Sequence, residues 1–324
     1  MRYNNGKNGE MRMGEGKKVH YRVRNWREYN EALIGRGSLT LWLEEKTVES
    51  WLNRQRRGKR GHPYEYSDVA VECMLLLKQV FQLGLRQTQG FMQSIFQLVG
   101  QGLPVMSYTQ LSRRQKDLAV DLPRQKRGQA LHVVVDATGL KVYGEGEWKT
   151  RQHNISKRRT WAKVHLAFDV ETHEIVAEVT TPDNVHEKEM LPDLLAQIEE
   201  EMAQVSADTG YDYQTCYQAI ATKGARAVIP PRRNGRVWNN GQMDDRDDNL
   251  RRIAQVGREV WKQESDYHQR SLAETGMFRL KKIFGPALLA RKLERQQTEV
   301  RLRCVALNRM TALGMPDSYP LQPA

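Results

Sequence analysis

The chain has 324 residues, of which 39% are hydrophobic, and a chain of this length usually folds as two domains. No apolar run approaches the ~20 residues that a membrane-spanning helix needs, and no apolar segment follows the polar N-terminus as it does in a secretory signal. We therefore expect a cytoplasmic protein that has no membrane partner.

Positive charge is concentrated in the first part of the chain. The net charge is +12, and residues 1–130 carry 23 Lys and Arg against 12 Asp and Glu, whereas the rest of the chain carries 28 against 27. This asymmetry indicates a polyanion-binding N-terminal region attached to a more neutral body. A role of the basic charge in solubility alone remains an alternative.

The pattern of hydrophobic residues changes near residue 125, from helical spacing to short apolar runs. The predicted divisions are a disordered leader at 1–17, a helical DNA-binding domain at 18–125, an α/β domain at 126–316 and a tail at 317–324.

Three helices are predicted between residues 67 and 119. Ser67 caps the first, a second runs from about 87 to 98, and Ser107 caps the third. The third helix exposes three basic residues, Arg113, Arg114 and Lys116. Two helices, a turn and a capped basic helix are typical of helix-turn-helix DNA readers, although any small helical bundle has basic faces.

Beyond residue 130 the pattern alternates between strands and helices. The predicted strands are 131–135, 162–169, 174–180, 203–207 and 226–229, and the predicted helices between them are 186–200 and 213–223. The turn at 171–173 makes the second and third strands a hairpin. This order predicts an α/β fold with a mixed sheet.

Two aspartates follow predicted strands. Asp136 ends the first buried strand, and Asp208 ends the 203–207 strand. Ligands collect at the carboxyl ends of such strands, although an aspartate there is also an ordinary cap or turn residue.

A third carboxylate belongs to a charged stripe near the C-terminus. Tyr267, Arg270, Glu274 and Lys281 follow the spacing Tyr-x2-Arg-x3-Glu-x6-Lys, which on one α-helix places them within roughly 60° of one another. A solvated face with an Arg–Glu pair explains the stripe equally well by itself.

Together, Asp136, Asp208 and Glu274 suit phosphodiester chemistry. Two Mg²⁺ ions about 3.5–4 Å apart can activate a water or a 3′-hydroxyl and stabilise the leaving oxygen. Mg²⁺ prefers carboxylates, usually one or two per ion, so three would suffice. Arg270 and Lys281 could bind the flanking phosphates.

Several blocks of sequence resemble those of one enzyme family. They are VVVDATGLKVYGEGEW around Asp136, ADTGYD around Asp208, YHQRSLAETGMFRLKKIFG around Glu274, the C-terminal ARKLERQQTEVRLRCVALNRMTALGMP and the N-terminal VRNWREYNEALIGRGSLTLWL. In these blocks the chain resembles the DDE transposases of bacterial insertion sequences, and most closely the insertion-sequence-five family. The resemblance extends from about residue 20 to residue 316, and the leading extension departs from it.

The resemblance implies an RNase H-like mixed-sheet catalytic domain preceded by an all-α, helix-turn-helix-like DNA-binding domain. It implies that Asp136, Asp208 and Glu274 bind two Mg²⁺ ions, for which Mn²⁺ can substitute, and that Tyr267, Arg270 and Lys281 contact transposon-end DNA. The implied partners are the terminal inverted repeats and the target DNA, bound by a dimer associated with the nucleoid, with no small-molecule substrate.

Two rival functions are weighed against a transposase. The first is an RNase H-like nuclease without strand transfer, which the basic N-terminal region and the full Tyr-Arg-Glu-Lys signature disfavour. The second is a DNA-binding protein with an inactive catalytic fold, which the presence of all three carboxylates disfavours.

Overall fold

The computed structural model describes residues 21–53, 64–125, 128–142, 161–238 and 245–321. The predicted leader at 1–17 lies outside these residues. In the described part of the chain, no helix is long and apolar enough to cross a membrane.

Helices dominate the described residues up to 114. They are α1 (Trp26–Gly35), α2 (Leu39–Trp42), α3 (Glu45–Glu49), α4 (Asp68–Val80), α5 (Leu85–Leu98) and α6 (Tyr108–Arg114). The predicted caps are confirmed: the Ser67 hydroxyl accepts the Ala70 N–H at 3.1 Å, and the Ser107 hydroxyl accepts the Gln110 N–H at 3.3 Å. Such a cap contributes about 1 kcal/mol. The third predicted helix is shorter than expected, because it tightens into a 3₁₀ turn at Gln115–Asp117.

The strands are β1 (Tyr21–Val23), β2 (Leu131–Val142), β3 (Trp161–Asp169), β4 (Ile175–Pro182), β5 (Met202–Ser206), β6 (Arg226–Val228), β7 (Ala287–Leu288) and β8 (Ser318–Pro320). The later helices are α7 (Glu187–Ala196), α8 (Gln214–Thr222), α9 (Asp245–Val256), α10 (Arg258–Glu264), α11 (Ser271–Phe284) and α12 (Leu293–Ala312). From β2 to β6 the elements follow the predicted order of strands and helices, whereas the short strands β1, β7 and β8 were not predicted.

The main sheet is mixed, which confirms the predicted α/β class. Its order is β4-β3-β2-β5-β6, with β7 also paired to β2. The β2–β3 and β3–β4 pairs are antiparallel, whereas β5 lies parallel to both β2 and β6. This mixed architecture fits an RNase H-like catalytic domain.

The two faces of the sheet bury different sets of residues. One face packs Val133 and Val135 of β2 with apolar residues of α7 and α8. On the other face, Val134 of β2 belongs to a cluster that also contains Met74 of α4 and Val305 of α12. This alternation along β2 is what a strand buried on both sides requires.

The N-terminal helices share that second cluster with the sheet. Trp42, Trp51 and Met74 are fully buried in it together with Val134 and Val305. The described residues before and after position 125 therefore contribute to one hydrophobic core. The domain boundaries remain a prediction from the sequence. At the end of the described chain, β8 pairs antiparallel with β1.

Candidate DNA-processing site

Asp136 lies inside β2, and not at its end as the sequence predicted. Leu140 and Val142 continue the buried pattern beyond it, because β3 and β7 go on pairing with β2. The parallel ladder to β5, however, ends at the Val134–Ser206 pair. Asp136 therefore marks the point where β5 diverges from β2.

Asp208 occupies the matching place beyond β5. It lies two residues past Ser206, as Asp136 lies two residues past Val134, so the parallel register brings both aspartates to the same edge. The Asp208 carboxylate accepts the Gly210 N–H at 2.8 Å and caps the 3₁₀ turn Thr209–Tyr211.

Glu274 approaches this edge from the first turn of α11, and Arg270 connects it to β2. The Arg270 guanidinium donates to Asp136 Oδ2 at 3.2 Å and to Glu274 Oε1. The structure therefore brings Asp136 and Glu274 to one shared cation. Arg270, predicted to contact DNA, is paired with these two carboxylates in the protein alone.

The environment of Asp136 affects its ionisation. Burial raises the pKa of the Asp136 carboxyl, and the charges of Asp208 and Glu187 raise it further. The Ala137 N–H, which donates to Asp136 Oδ1 at 2.8 Å, and the Arg270 guanidinium lower this pKa. Negative charge is thus concentrated at a half-buried point.

The single helix predicted over residues 267–282 is divided in the structure. Tyr267–Arg270 forms a 3₁₀ turn, and α11 begins at Ser271. The turn follows Asp266, which has a left-handed backbone with φ of 55°. The Tyr267 ring lies 5.6 Å from the Trp261 ring, between centroids, and burial raises the pKa of the Tyr267 hydroxyl.

Lys281 lies on α11 two turns after Glu274 and is partly buried. Tight packing holds this helix against the sheet: Gly276 faces the Phe168 ring of β3 so closely that a Cβ would overlap the ring. The glycine therefore sets the distance of Glu274 from β2.

The three basic residues predicted on the third helix have different environments. Arg113 and Lys116 are exposed, and Lys116 pairs with Asp117 at 3.7 Å. Arg114 is only 8% exposed, and its guanidinium binds the Tyr66 carbonyl at 2.9 Å and the Asp68 carboxylate. We therefore correct the prediction for Arg114, which holds α6 against the start of α4.

Two residues near the aspartates were not predicted as site residues from the sequence. Glu187 starts α7, and Tyr211 follows Asp208 in the 3₁₀ turn and is fully buried. Burial and the charges of Glu187, Asp136 and Asp208 raise the pKa of the Tyr211 hydroxyl. The only signal for Glu187 was an acid in the first turn of a helix after a strand, which helix-dipole stabilisation also explains.

The predicted metal ligands have the chemistry that a hard divalent cation prefers. The three predicted ligands are carboxylates, as Mg²⁺ prefers, and Arg270 demonstrates that two of them reach a common positive charge. Among the residues that the structure describes, no three His, Cys, Asp or Glu side chains are grouped closely enough to hold an ion. The position of Arg270 between Asp136 and Glu274 is a physical reason for that separation.

Comparisons with known proteins give the family. Two family models match the chain, both described as a transposase DDE domain: one over residues 127–309 and the other over residues 34–145. Among solved structures, the chain is similar to the piggyBac transposase in a synaptic complex with hairpin DNA. That similarity has 9% identity and a TM-score of 0.40, and it covers 86% of this chain and 73% of that chain.

The match over residues 127–309 spans more than half of the chain, and it includes Asp136, Asp208 and Glu274. The chain therefore belongs to the transposase DDE domain family and is a DNA transposase.

Proposed function

We propose that the protein is an insertion-sequence transposase of the insertion-sequence-five family. It binds the terminal inverted repeats of its element, cleaves phosphodiester bonds at the element ends, and joins the 3′-hydroxyls to target DNA. One observation carries the proposal: Asp136 and Asp208 lie at one edge of the sheet, and Glu274 reaches Asp136 through Arg270.

In this proposal Asp136, Asp208 and Glu274 would hold two Mg²⁺ ions, or Mn²⁺ in their place. When bound, the ions supply an activated water or 3′-hydroxyl and stabilise the leaving oxygen. Asp136 would supply oxygen donors from a strand position that is paired with β3, just beyond the end of the ladder to β5. Glu274 is exposed at the start of a helix, so its side chain can move when Arg270 moves.

The flanking cations and the aromatic side chain bind DNA in this proposal. Lys281 lies on the same helix as Glu274, and Arg270 has partners that it can exchange for phosphate, because a guanidinium also binds phosphate in a bidentate way. Tyr267 supplies a hydroxyl and a ring beside Arg270, whose guanidinium carbon lies 6.0 Å from the ring centroid.

An open groove at the start of α5 and along α6 supports DNA binding by the N-terminal helices. Its volume is about 640 Å³, and its lining includes Arg86, Tyr108, Ser112 and Arg113. The Arg86 guanidinium stacks 4.5 Å from the centre of the Tyr108 ring. Arg113, at the edge of this groove, and Lys116 supply exposed charge for phosphates. In this proposal, a dimer in the DNA complex pairs the two element ends.

The test uses the full chain and DNA that carries the element ends. Glu274→Gln removes one carboxylate charge at nearly constant size, so it should reduce Mg²⁺-dependent cleavage by at least about 100-fold while end binding persists. Cleaved and joined products are measured by sequencing, and binding by gel shift. Glu294→Gln, which alters an exposed glutamate in the first turn of α12, is the matched control and should behave as the parent.

Full cleavage by the Glu274→Gln variant would refute the site. Cleaved ends that are never joined by the parent protein would favour the nuclease alternative.

A further inference from the structure

Glu187 brings a fourth carboxylate to the edge of the sheet where Asp136 and Asp208 lie. It is the first residue of α7, whose apolar side packs on the sheet face opposite to α11. The carboxylate therefore approaches the aspartates from the other side of the sheet than Glu274 does.

Glu187 and Asp208 both lie close to Gly210. A Cβ on Gly210 would lie 2.8 Å from Asp208 Oδ1 and 3.1 Å from Glu187 Oε2. Both oxygens therefore border the small volume that a side chain at position 210 would fill. Two ionised carboxylates that border one such volume repel each other unless a cation lies with them.

Tyr211 is an independent indication of a ligand at this point. Its hydroxyl is fully buried and has no hydrogen-bond partner among the described residues. The charges that act on it most strongly are those of Glu187, Asp136 and Asp208, in that order. An unpaired buried hydroxyl is destabilising, and hydration water of a bound cation would satisfy it.

The other oxygen of Glu187 is bound within the protein. Lys163 of β3 places its ammonium 3.3 Å from Glu187 Oε1, and the same ammonium donates to the Val185 carbonyl at 3.2 Å. Glu187 Oε2 lies beside Gly210, next to the volume that Asp208 Oδ1 also borders. One carboxylate oxygen is therefore paired with an internal cation, and the other lies at the volume shared with the aspartate.

We propose that Glu187 is a fourth carboxylate ligand of the divalent-cation site and shares one cation with Asp208. The inference rests on the metal dependence of the proposed function and adds to it a ligand from α7. A purely structural role, in which Glu187 only pairs with Lys163 at the start of its helix, predicts no effect on cation binding.

The test measures Mn²⁺ binding by the full chain without DNA, by calorimetry and by the electron paramagnetic resonance of free Mn²⁺. Glu187→Gln should weaken the binding of one ion at least about tenfold, since a ligand charge is lost. Glu189→Gln removes the same charge from an exposed position in the same helix turn and should bind Mn²⁺ as the parent does.

A second variant separates a ligand role from a salt bridge. Lys163→Met breaks the same ion pair but removes a positive charge, so it should raise Mn²⁺ affinity about threefold to tenfold if Glu187 binds the cation. Equal losses of affinity in Glu187→Gln and Lys163→Met would show that the ion pair alone matters, and would overturn the inference. If Glu187→Gln does not fold, unchanged affinity in Lys163→Met has the same meaning.

Asp208→Asn distinguishes loss of the Glu187 ligand from loss of the whole cation site. If Asp208→Asn loses Mn²⁺ binding while Glu187→Gln retains it, the Glu187 inference fails and the proposed function stands. If both variants bind Mn²⁺ as the parent does, the cation site of the proposed function fails as well.

Discussion

Arg270 places one positive charge between two carboxylates that a divalent cation also needs. Its guanidinium binds Asp136 and Glu274 at the same time, and the Arg270 side chain is 20% exposed. In the protein alone, this charge offsets the repulsion between two acids that the fold holds near each other. The same residue is then a competitor for cations and a ligand for phosphate.

Arg270→Gln tests both roles of this residue. The variant should bind Mn²⁺ several-fold more tightly than the parent without DNA, because two carboxylates lose their internal cation. It should bind element-end DNA less tightly, with a smaller dependence on salt concentration, because one phosphate contact is lost. Calorimetry and gel shifts at several salt concentrations measure the two effects, and a change of both affinities in the same direction would contradict this account.

The sequence predicted which residues form the candidate site, but it did not predict their mutual contacts. The spacing from Tyr267 to Lys281 selected four of these residues on the assumption of one continuous helix. A left-handed Asp266 and a 3₁₀ turn set Arg270 instead where it reaches Asp136, 134 positions away. Contacts across such a separation depend on the packing of α11 on β2, which no local pattern contains.

Helix α11 lies close to the sheet because position 276 has no side chain. Gly276 lies against the Phe168 ring in the second core cluster, where Ala273 and Leu280 of the same helix are fully buried. A glycine in the middle of a helix costs about 1 kcal/mol relative to alanine. The close approach to β3 compensates for that cost and carries Glu274 toward β2.

Gly276→Ala should therefore destabilise the protein in spite of its better helix propensity. The added methyl overlaps the Phe168 ring, and overpacking of this kind costs about 1–3 kcal/mol. Urea unfolding measures the loss, and Thr275→Ala, at the exposed neighbouring position, should be nearly neutral. Equal stability of the two variants would show that α11 can move away freely.

The extent of β2 illustrates what the sequence could not predict about elements. The apolar run ended at Asp136, so the predicted strand stopped at residue 135. The observed strand continues to Val142 because β3 pairs along it up to Lys141 and β7 pairs with its last two residues. Helices with caps and amphipathic stripes were predicted well, because their signals are local.

Two buried ionisable groups give opposite pH dependences to the stability of the folded protein. Burial raises the pKa of Glu178 on β4 to about 7, above its value of 4.5 in an unfolded chain. Burial and the charge of Lys163 lower the pKa of His165 on β3 to about 4, below its unfolded value of 6.5.

These directions fix the sign of each effect. Between pH 4.5 and about 7 the folded protein binds more protons at Glu178, so this group reduces stability as the pH rises. Between about pH 4 and 6.5 the unfolded chain binds more protons at His165, so this group increases stability as the pH rises.

Between pH 4.5 and 6.5, the free energy of unfolding of Glu178→Gln should therefore rise by roughly 1–3 kcal/mol more than that of the parent. Urea unfolding at a series of pH values measures the slope, with the exposed Glu189→Gln as control. Parallel curves for Glu178→Gln and the parent would contradict the assignment of the raised pKa to Glu178.

The shared core couples the order of folding to the completion of synthesis. Met74 in α4 packs in the same cluster as Val305 in α12, and within the described residues β1 pairs with β8. The apolar side of the residues that leave the ribosome first is therefore covered only after the last residues have been synthesised. A nascent chain therefore exposes that side during translation, and the described residues before position 125 reach their final packing only together with those after it.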